Sequence, residues 1–160
     1  MKIIFQDIDG PLIPFRMYYR GDRPFDTTKQ SFVWDPIAVD MVNELCKKFD
    51  AKVVFNTAHG ENPKEVLQHQ AHQNGLLHVH DDCKTSYPFT GNRYQAITEW
   101  LEKYPNVQKF DWIVIDDTQV CLSRQIKVDW EVGMTLENYR KACMLLGDEK
   151  FAPQLFIAHR

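Results

Sequence analysis

Ile3-Ile4-Phe5-Gln6-Asp7-Ile8-Asp9-Gly10-Pro11-Leu12 is the stretch that decides how this chain is read. An apolar run of strand-forming residues leads into two carboxylates one residue apart, and Gly10-Pro11 then breaks the extended segment. Taken alone, Asp-x-Asp-Gly also describes an ordinary turn after a strand. A second acidic pair changes its meaning, because Trp112-Ile113-Val114-Ile115 likewise ends in Asp116-Asp117. In open α/β sheets ligands bind beyond the carboxyl ends of the strands, so both signals point to one place. Asp7, Asp9, Asp116 and Asp117 are therefore expected to converge on a divalent-cation site if their two strands are neighbours.

The rest of the chain supplies the sheet that this requires. Ile3–Ile8, Lys52–Thr57, Leu76–His80, Asp111–Asp116 and Gln125–Val128 read as strands, several too uniformly apolar to have a solvated face. Between them lie helical periods. Asp35-Pro36 makes a cap and first turn for a helix whose apolar stripe is Ile37, Met41, Leu45 and Phe49. Asn62-Pro63 opens another, carrying Val66, Leu67, Gln70 and Ala71 up to Gly75. Ile97, Trp100, Leu101 and Tyr104 stripe a third that ends near Pro105, and Thr135 caps a last one running to Gly147. The alternation implies right-handed crossovers and a three-layer, Rossmann-like α/β domain over residues 1–160, with a mainly parallel five-stranded sheet. Residues 15–34 have no period and read as a small insertion, or minimal cap, over the carboxyl edge of the sheet.

Composition narrows the function classes. A chain of 160 residues is the size of one domain and needs no staples to hold its core. The formal net charge of -3 gives no global polyanion-binding signal. Cys46, Cys83, Cys121 and Cys143 form no Cys-x-x-Cys pair, so reduced thiols are expected. With no leader-like segment at Met1 and no apolar run long enough for a bilayer, a soluble, cytoplasmic protein with no membrane partner is the expectation. His69, His72, His78, His80, Asp81, Asp82 and Cys83 crowd one region, but their spacing matches no zinc motif.

With these residues in place, the chain resembles the haloacid dehalogenase (HAD) superfamily, most of whose members are magnesium-dependent phosphohydrolases. Asp7-x-Asp9-Gly10 resembles its first motif, Phe55-Asn56-Thr57 its second, Arg93 the basic residue of its third, and Asp116-Asp117 its fourth. The likeness is closest to cap-poor phosphatase domains associated with nucleic-acid end repair, through Asp35-Pro36, the run Arg93 to Leu101, and Gly133-Met134-Thr135. Two departures stand out. Asn56-Thr57-Ala58-His59-Gly60 replaces a serine-rich stretch ending in Trp-Arg, and arginine replaces the commoner lysine of the third motif, with Lys84 as the other candidate.

The resemblance implies a phosphomonoesterase with Mg2+ as cofactor and an aspartyl-phosphate intermediate. Asp7 would be the nucleophile and a metal ligand. Asp9 would be the acid/base, its backbone carbonyl also on the metal; its anionic neighbours favour its protonated form, while a bound cation opposes it. Asp116 would be the third protein ligand, and Asp117 either a further ligand or an anchor behind the ligands. Thr57, or Asn56 if the register differs by one, would donate to the phosphoryl group, and Arg93 would balance its charge. Gly10, Asn56, Lys84, Arg20 and Arg23 are the candidate substrate contacts. Arg16, Tyr18, Tyr19, Arg20, Arg23, Phe25, Phe32 and Trp34 interleave guanidinium groups with aromatic rings, a composition suited to bases and phosphates. The expected substrate is a nucleotide or nucleic-acid terminal phosphate. The alternatives are a small-metabolite phosphatase and a non-catalytic phosphate- or protein-binding module, which the altered second motif allows.

Overall fold

Residues 1–18, 21, 23–86 and 92–148 are described in the computed structural model of the chain. Five parallel strands, β1 (Lys2–Gln6), β4 (Ala51–Phe55), β5 (Val79–Lys84), β6 (Trp112–Asp116) and β7 (Gln125–Lys127), form one sheet in the order β5-β4-β1-β6-β7. The first strand lies in the middle because crossovers run outward from it on both sides. Helices α1 (Pro36–Phe49), α2 (Lys64–Gln73), α3 (Arg93–Glu102) and α4 (Leu136–Leu145) supply the outer layers.

The alternation of side chains along each strand divides the core in two. Ile4, Val53, Phe55, Ile113 and Ile115 face α1, α2 and α4 in the larger cluster. Ile3, Phe5, Val54, Trp112 and Val114 face the other way, onto Ile97 and Trp100 of α3. The Trp100 ring stands edge-on to Phe5 at 5.5 Å and stacks on Tyr104 at 4.2 Å. Its indole N–H donates to the Asp82 carbonyl at 3.1 Å, so no polar atom is stranded. Burying one such side chain contributes about 1.5–3 kcal/mol.

Register fixes the working edge. Ile4 lies between Val53 and Ile113, and Gln6 between Phe55 and Ile115. The next residues continue it: Asp7 N donates to Ile115 O at 2.9 Å and Asn56 N to Gln6 O at 3.0 Å. Asp7, Asn56 and Asp116 thus leave three adjacent strands at one level.

Two elements differ from the expectation. The buried face of α1 is Ala38, Val39, Val42, Leu45 and Cys46, while Ile37 is exposed, because two overlapping stripes compete on this helix and the second packs on the sheet. The strand expected at Leu76–His80 is β5, shifted to Val79–Lys84. As an edge strand with a half-solvated face it carries Asp81 and Asp82, which lie beyond the expected strand. The stretch after β1 holds a 3-10 turn (Phe15–Met17) and a short antiparallel hairpin of β2 (Phe25–Asp26) and β3 (Ser31–Phe32). Trp34 at its end is buried against Phe55, so that aromatic belongs to the core. No helix among the described residues is long and apolar enough to cross a membrane.

Candidate active site

Asp7 sits just beyond the central strand, almost wholly buried. One carboxylate oxygen accepts from Ile8 N at 2.8 Å, and the other lies 3.1 Å from Arg93 Nη1. The same nitrogen donates to Asp116 at 2.6 Å. Asp116 is itself fixed by the backbone N–H and hydroxyl of Thr118, at 2.8 and 2.9 Å. Asp7, Asp116 and Asp117 bring carboxylate oxygens within 4.8 Å of one another, but the fourth carboxylate expected there, Asp9, stands outside that group and is held by Arg23 and His59 instead. Burial and the adjacent Asp116 drive the Asp7 pKa well up, against the opposing pull of Arg93 and Thr57. Burial raises that of Asp116 as well.

Gly10 holds Asp117 in place by being small. Its φ is +95°, and a Cβ there would lie 2.8 Å from Asp117 Cγ, so both the turn and the close approach demand glycine. Its position is against a carboxylate that it packs, which differs from a direct substrate contact.

Asp9 is the residue whose surroundings the sequence did not disclose. Its carboxylate is paired with Arg23, lies 3.0 Å from His59 Nε2 and receives the Tyr18 hydroxyl at 3.3 Å. Burial works to raise its pKa, but the hydrogen bond and charge of His59, followed by Arg23 and Tyr18, hold it below the usual carboxylate range. The expectation of a protonated Asp9 is thereby overturned: its close neighbours are cations and donors rather than carboxylates. His59 is buried edge-on against Phe32, and the Arg23 guanidinium lies over the same ring at 5.3 Å. A histidine two residues after the strand-end Thr57 is the available signal for this clamp. The partner that it meets depends on where the insertion folds.

The remaining candidates separate. The Thr57 hydroxyl accepts from His59 N at 3.3 Å and hydrogen-bonds Asp7. Asn56 Oδ1 accepts from the Thr85 hydroxyl at 2.7 Å, while its buried Nδ2 has no acceptor among the described residues. Lys84 Nζ donates to the Asn62 carbonyl at 3.0 Å, so of the two bases it is Arg93 that spans the carboxylates. Arg20 and Tyr19 lie outside the described residues. Among the described residues the metal-competent group is made of carboxylates alone, and His80 instead packs on Trp100 and Tyr104, each at 5.2 Å.

Two cavities flank the centre. One of about 480 Å3 is lined by hydroxyls, amides and one guanidinium, including Asn56, Thr57, Thr85, Arg93 and Thr118. The other, of about 270 Å3, is lined by Asp9 and Asp117 together with the rings of Phe15, Tyr18 and Trp130.

A β1-centred parallel sheet with acidic pairs at the ends of β1 and β6 defines a HAD-type α/β domain. Residues 3–139 match the family of HAD domains in Swiss Army Knife RNA repair proteins, and the chain belongs to that family. No curated protein and no solved structure matches the chain. Family membership supports a phosphatase-type function. The donor set also fits the magnesium that HAD domains generally use: three crowded carboxylates against one guanidinium leave two negative charges, and oxygen ligands suit a hard divalent ion.

Proposed function

We propose that the protein is a magnesium-dependent phosphomonoesterase acting on the terminal phosphate of a nucleic acid through an aspartyl-phosphate on Asp7. The observation that carries this reading is the Asp7 carboxylate itself, buried at the end of the central strand and held by Ile8 N and Arg93 with Asp116 and Asp117 beside it. The repair setting of the family supports the nucleic-acid substrate.

Burial and Asp116 raise the Asp7 pKa, so Arg93, the Thr57 hydroxyl and a bound cation would be what holds it as the attacking carboxylate, and the remaining obstacle is the meeting of two anions. When bound, a magnesium ion held by Asp7, Asp116 and Asp117 supplies the charge that relieves this repulsion. Arg93 and the Thr57 hydroxyl line the polar cavity and balance the equatorial phosphoryl oxygens. As the new O–P bond forms, the ester P–O bond breaks and its electron pair leaves on the ester oxygen. That oxygen takes a proton from Asp9. Water then attacks phosphorus, Asp9 takes the proton back, and inorganic phosphate leaves with Asp7 restored. For Asp9 to carry that proton, the clamp of His59, Arg23 and Tyr18 that holds its pKa down has to relax, and His59 is the strongest part of it.

The test is release of phosphate from phosphate-terminated oligonucleotides, nucleotides and glycerol phosphate, with magnesium and with chelator. Asp7→Asn abolishes turnover, whereas Asp9→Asn is most damaging for esters with poor leaving groups. Wild-type hydrolysis by Asp7→Asn, free of contaminating phosphatase, would refute the covalent route. Turnover restricted to small esters would move the substrate to metabolites, and phosphate binding without any turnover would make the domain a binding module.

A further inference from the structure

The aromatic cavity beside Asp9 has no part in the mechanism above, and its construction points to a ligand. Phe15 and Trp130 come from distant loops, yet their rings lie 4.9 Å apart at 55°, and Tyr18 stacks on Phe15 at 5.8 Å. Both leading rings are about half exposed, 52% for Phe15 and 49% for Trp130. The loops that carry them are stitched together. Phe15 N donates to Trp130 O at 2.8 Å, Arg16 N to Glu131 O at 3.2 Å, and Arg16 Nε to Val132 O at 3.0 Å. Gly133, at a φ of +85°, lies so close to Pro14 that a Cβ would come within 2.9 Å of its ring. Such a rigid pair of water-facing rings is a preorganised stacking surface, with its ordering cost met in the free protein.

Its place relative to the chemistry selects the occupant. Thr57 and Arg93 line the polar cavity, where the phosphoryl oxygens go, and Asp9, the proton donor to the leaving oxygen, lines the aromatic one. The leaving group therefore exits over Phe15, Tyr18 and Trp130. No basic residue is among the described residues that line this cavity, so it offers a second phosphate no cation and suits a flat, uncharged ring system.

We infer that Phe15 and Trp130, backed by Tyr18, form a seat on which the base of the phosphate-bearing terminal nucleotide stacks, orienting the ester oxygen toward Asp9. This rests on the phosphomonoesterase reading above for its catalytic consequence, but the seat itself is testable without turnover. Base stacking on a protein aromatic is sequence-tolerant, so the seat recognises a nucleotide terminus rather than a particular base.

The experiment has two arms. In the first, kcat/KM is measured for a phosphate-terminated dinucleotide and for glycerol phosphate. The ratio of the two falls about 5- to 150-fold in Trp130→Ala and in Phe15→Ala, and Trp130→Phe restores most of it. Both side chains are half exposed, so the variants should keep the fold, which circular dichroism and melting confirm. In the second arm, a dinucleotide without terminal phosphate is titrated against tryptophan fluorescence. Trp34, Trp100 and Trp112 are buried at 9% exposure or less, so quenching reports Trp130, and it disappears in Trp130→Phe and weakens in Phe15→Ala. Quenching without turnover of any ester would remove the phosphatase reading and leave the seat standing. Turnover with an unchanged ratio and no quenching would overturn the seat. So would a concentration-dependent blue shift of the Trp130 emission with dimer formation in sedimentation, which would assign the surface to a second copy of the chain.

Discussion

Replacing Asp7, the proposed nucleophile, by its amide should stabilise the fold. Asp7 has Asp116 and Asp117 oxygens within 4.8 Å, and at an effective dielectric near 20 each repulsion amounts to at least about 3 kcal/mol. The Arg93 nitrogen at 3.1 Å returns about 5 kcal/mol on the same scale. Burial of the anion adds a desolvation cost of roughly several kcal/mol, which the Ile8 N–H and Thr57 hydroxyl offset only in part. The balance is unfavourable to the charge. Asp7→Asn keeps the shape and an oxygen for Ile8 N, and Arg93 keeps Asp116 at 2.6 Å. In chelator at pH 7 we expect Asp7→Asn to be more stable than the wild type by about 1–3 kcal/mol in urea unfolding, with unchanged m-value. Magnesium then raises the stability of the wild type more than that of the variant, so the gap narrows or reverses as the cation is added. A variant less stable than the wild type in chelator by about 1 kcal/mol or more would refute the reasoning, because Arg93 would then more than compensate the crowding.

Gly10→Ala should lose about 1–2 kcal/mol from its left-handed backbone alone and displace Asp117, so that the magnesium midpoint of the thermal shift moves upward; an unchanged midpoint counts against Asp117 as a ligand. Burial against Trp100 and Tyr104 lowers the His80 pKa despite Asp82 and Asp81, with Lys52 acting in the same direction as burial. The sign follows: the unfolded chain takes up the proton first, so stability is complete above the ordinary histidine value of about 6.5 and declines as pH falls through the lowered folded value. His80→Gln should flatten the stability profile across that window, as read from urea midpoints between roughly pH 5 and 7. Replacing Arg23 by Ala should weaken action on a phosphorylated oligonucleotide more than on glycerol phosphate, with the difference shrinking at high salt; equal losses on both would leave Arg23 acting only through Asp9.

What the sequence made legible follows from how each feature is encoded. Asp7 and Asp116 each end a run buried on both faces, so an uninterrupted apolar stretch followed by carboxylates located the cation-competent edge directly. β5 is displaced because an edge strand is allowed polar residues, and the continuation past His80 through Asp81 and Asp82 has no apolar run to mark it. Thr135 was read as a cap and does cap α4, in a reciprocal pair with Asn138, because capping is a local interaction. The clamp on Asp9 was invisible for the opposite reason. Tyr18, Arg23 and His59 come from two loops with no periodicity, and only the tertiary path of the insertion brings them to one carboxylate. The pairing of Phe15 with Trp130 escaped for the same cause.

The unequal division of the core gives the protein two thresholds of opening. Three helices share one apolar cluster, whereas α3 rests by itself on the cluster around Phe5, Val54 and Trp112, with Trp100 as its principal anchor. Arg93 is the first residue of that lone helix. A fluctuation that peels α3 from the sheet would withdraw the guanidinium from Asp7 and Asp116 while the opposite face stays closed. In rising denaturant, phosphate chemistry should then cease before the far-ultraviolet signal collapses, and amide protons in α3 should exchange ahead of those in β1 and β4. The guanidinium between Asp7 and Asp116 is thus mounted on the helix that rests on the smaller of the two clusters.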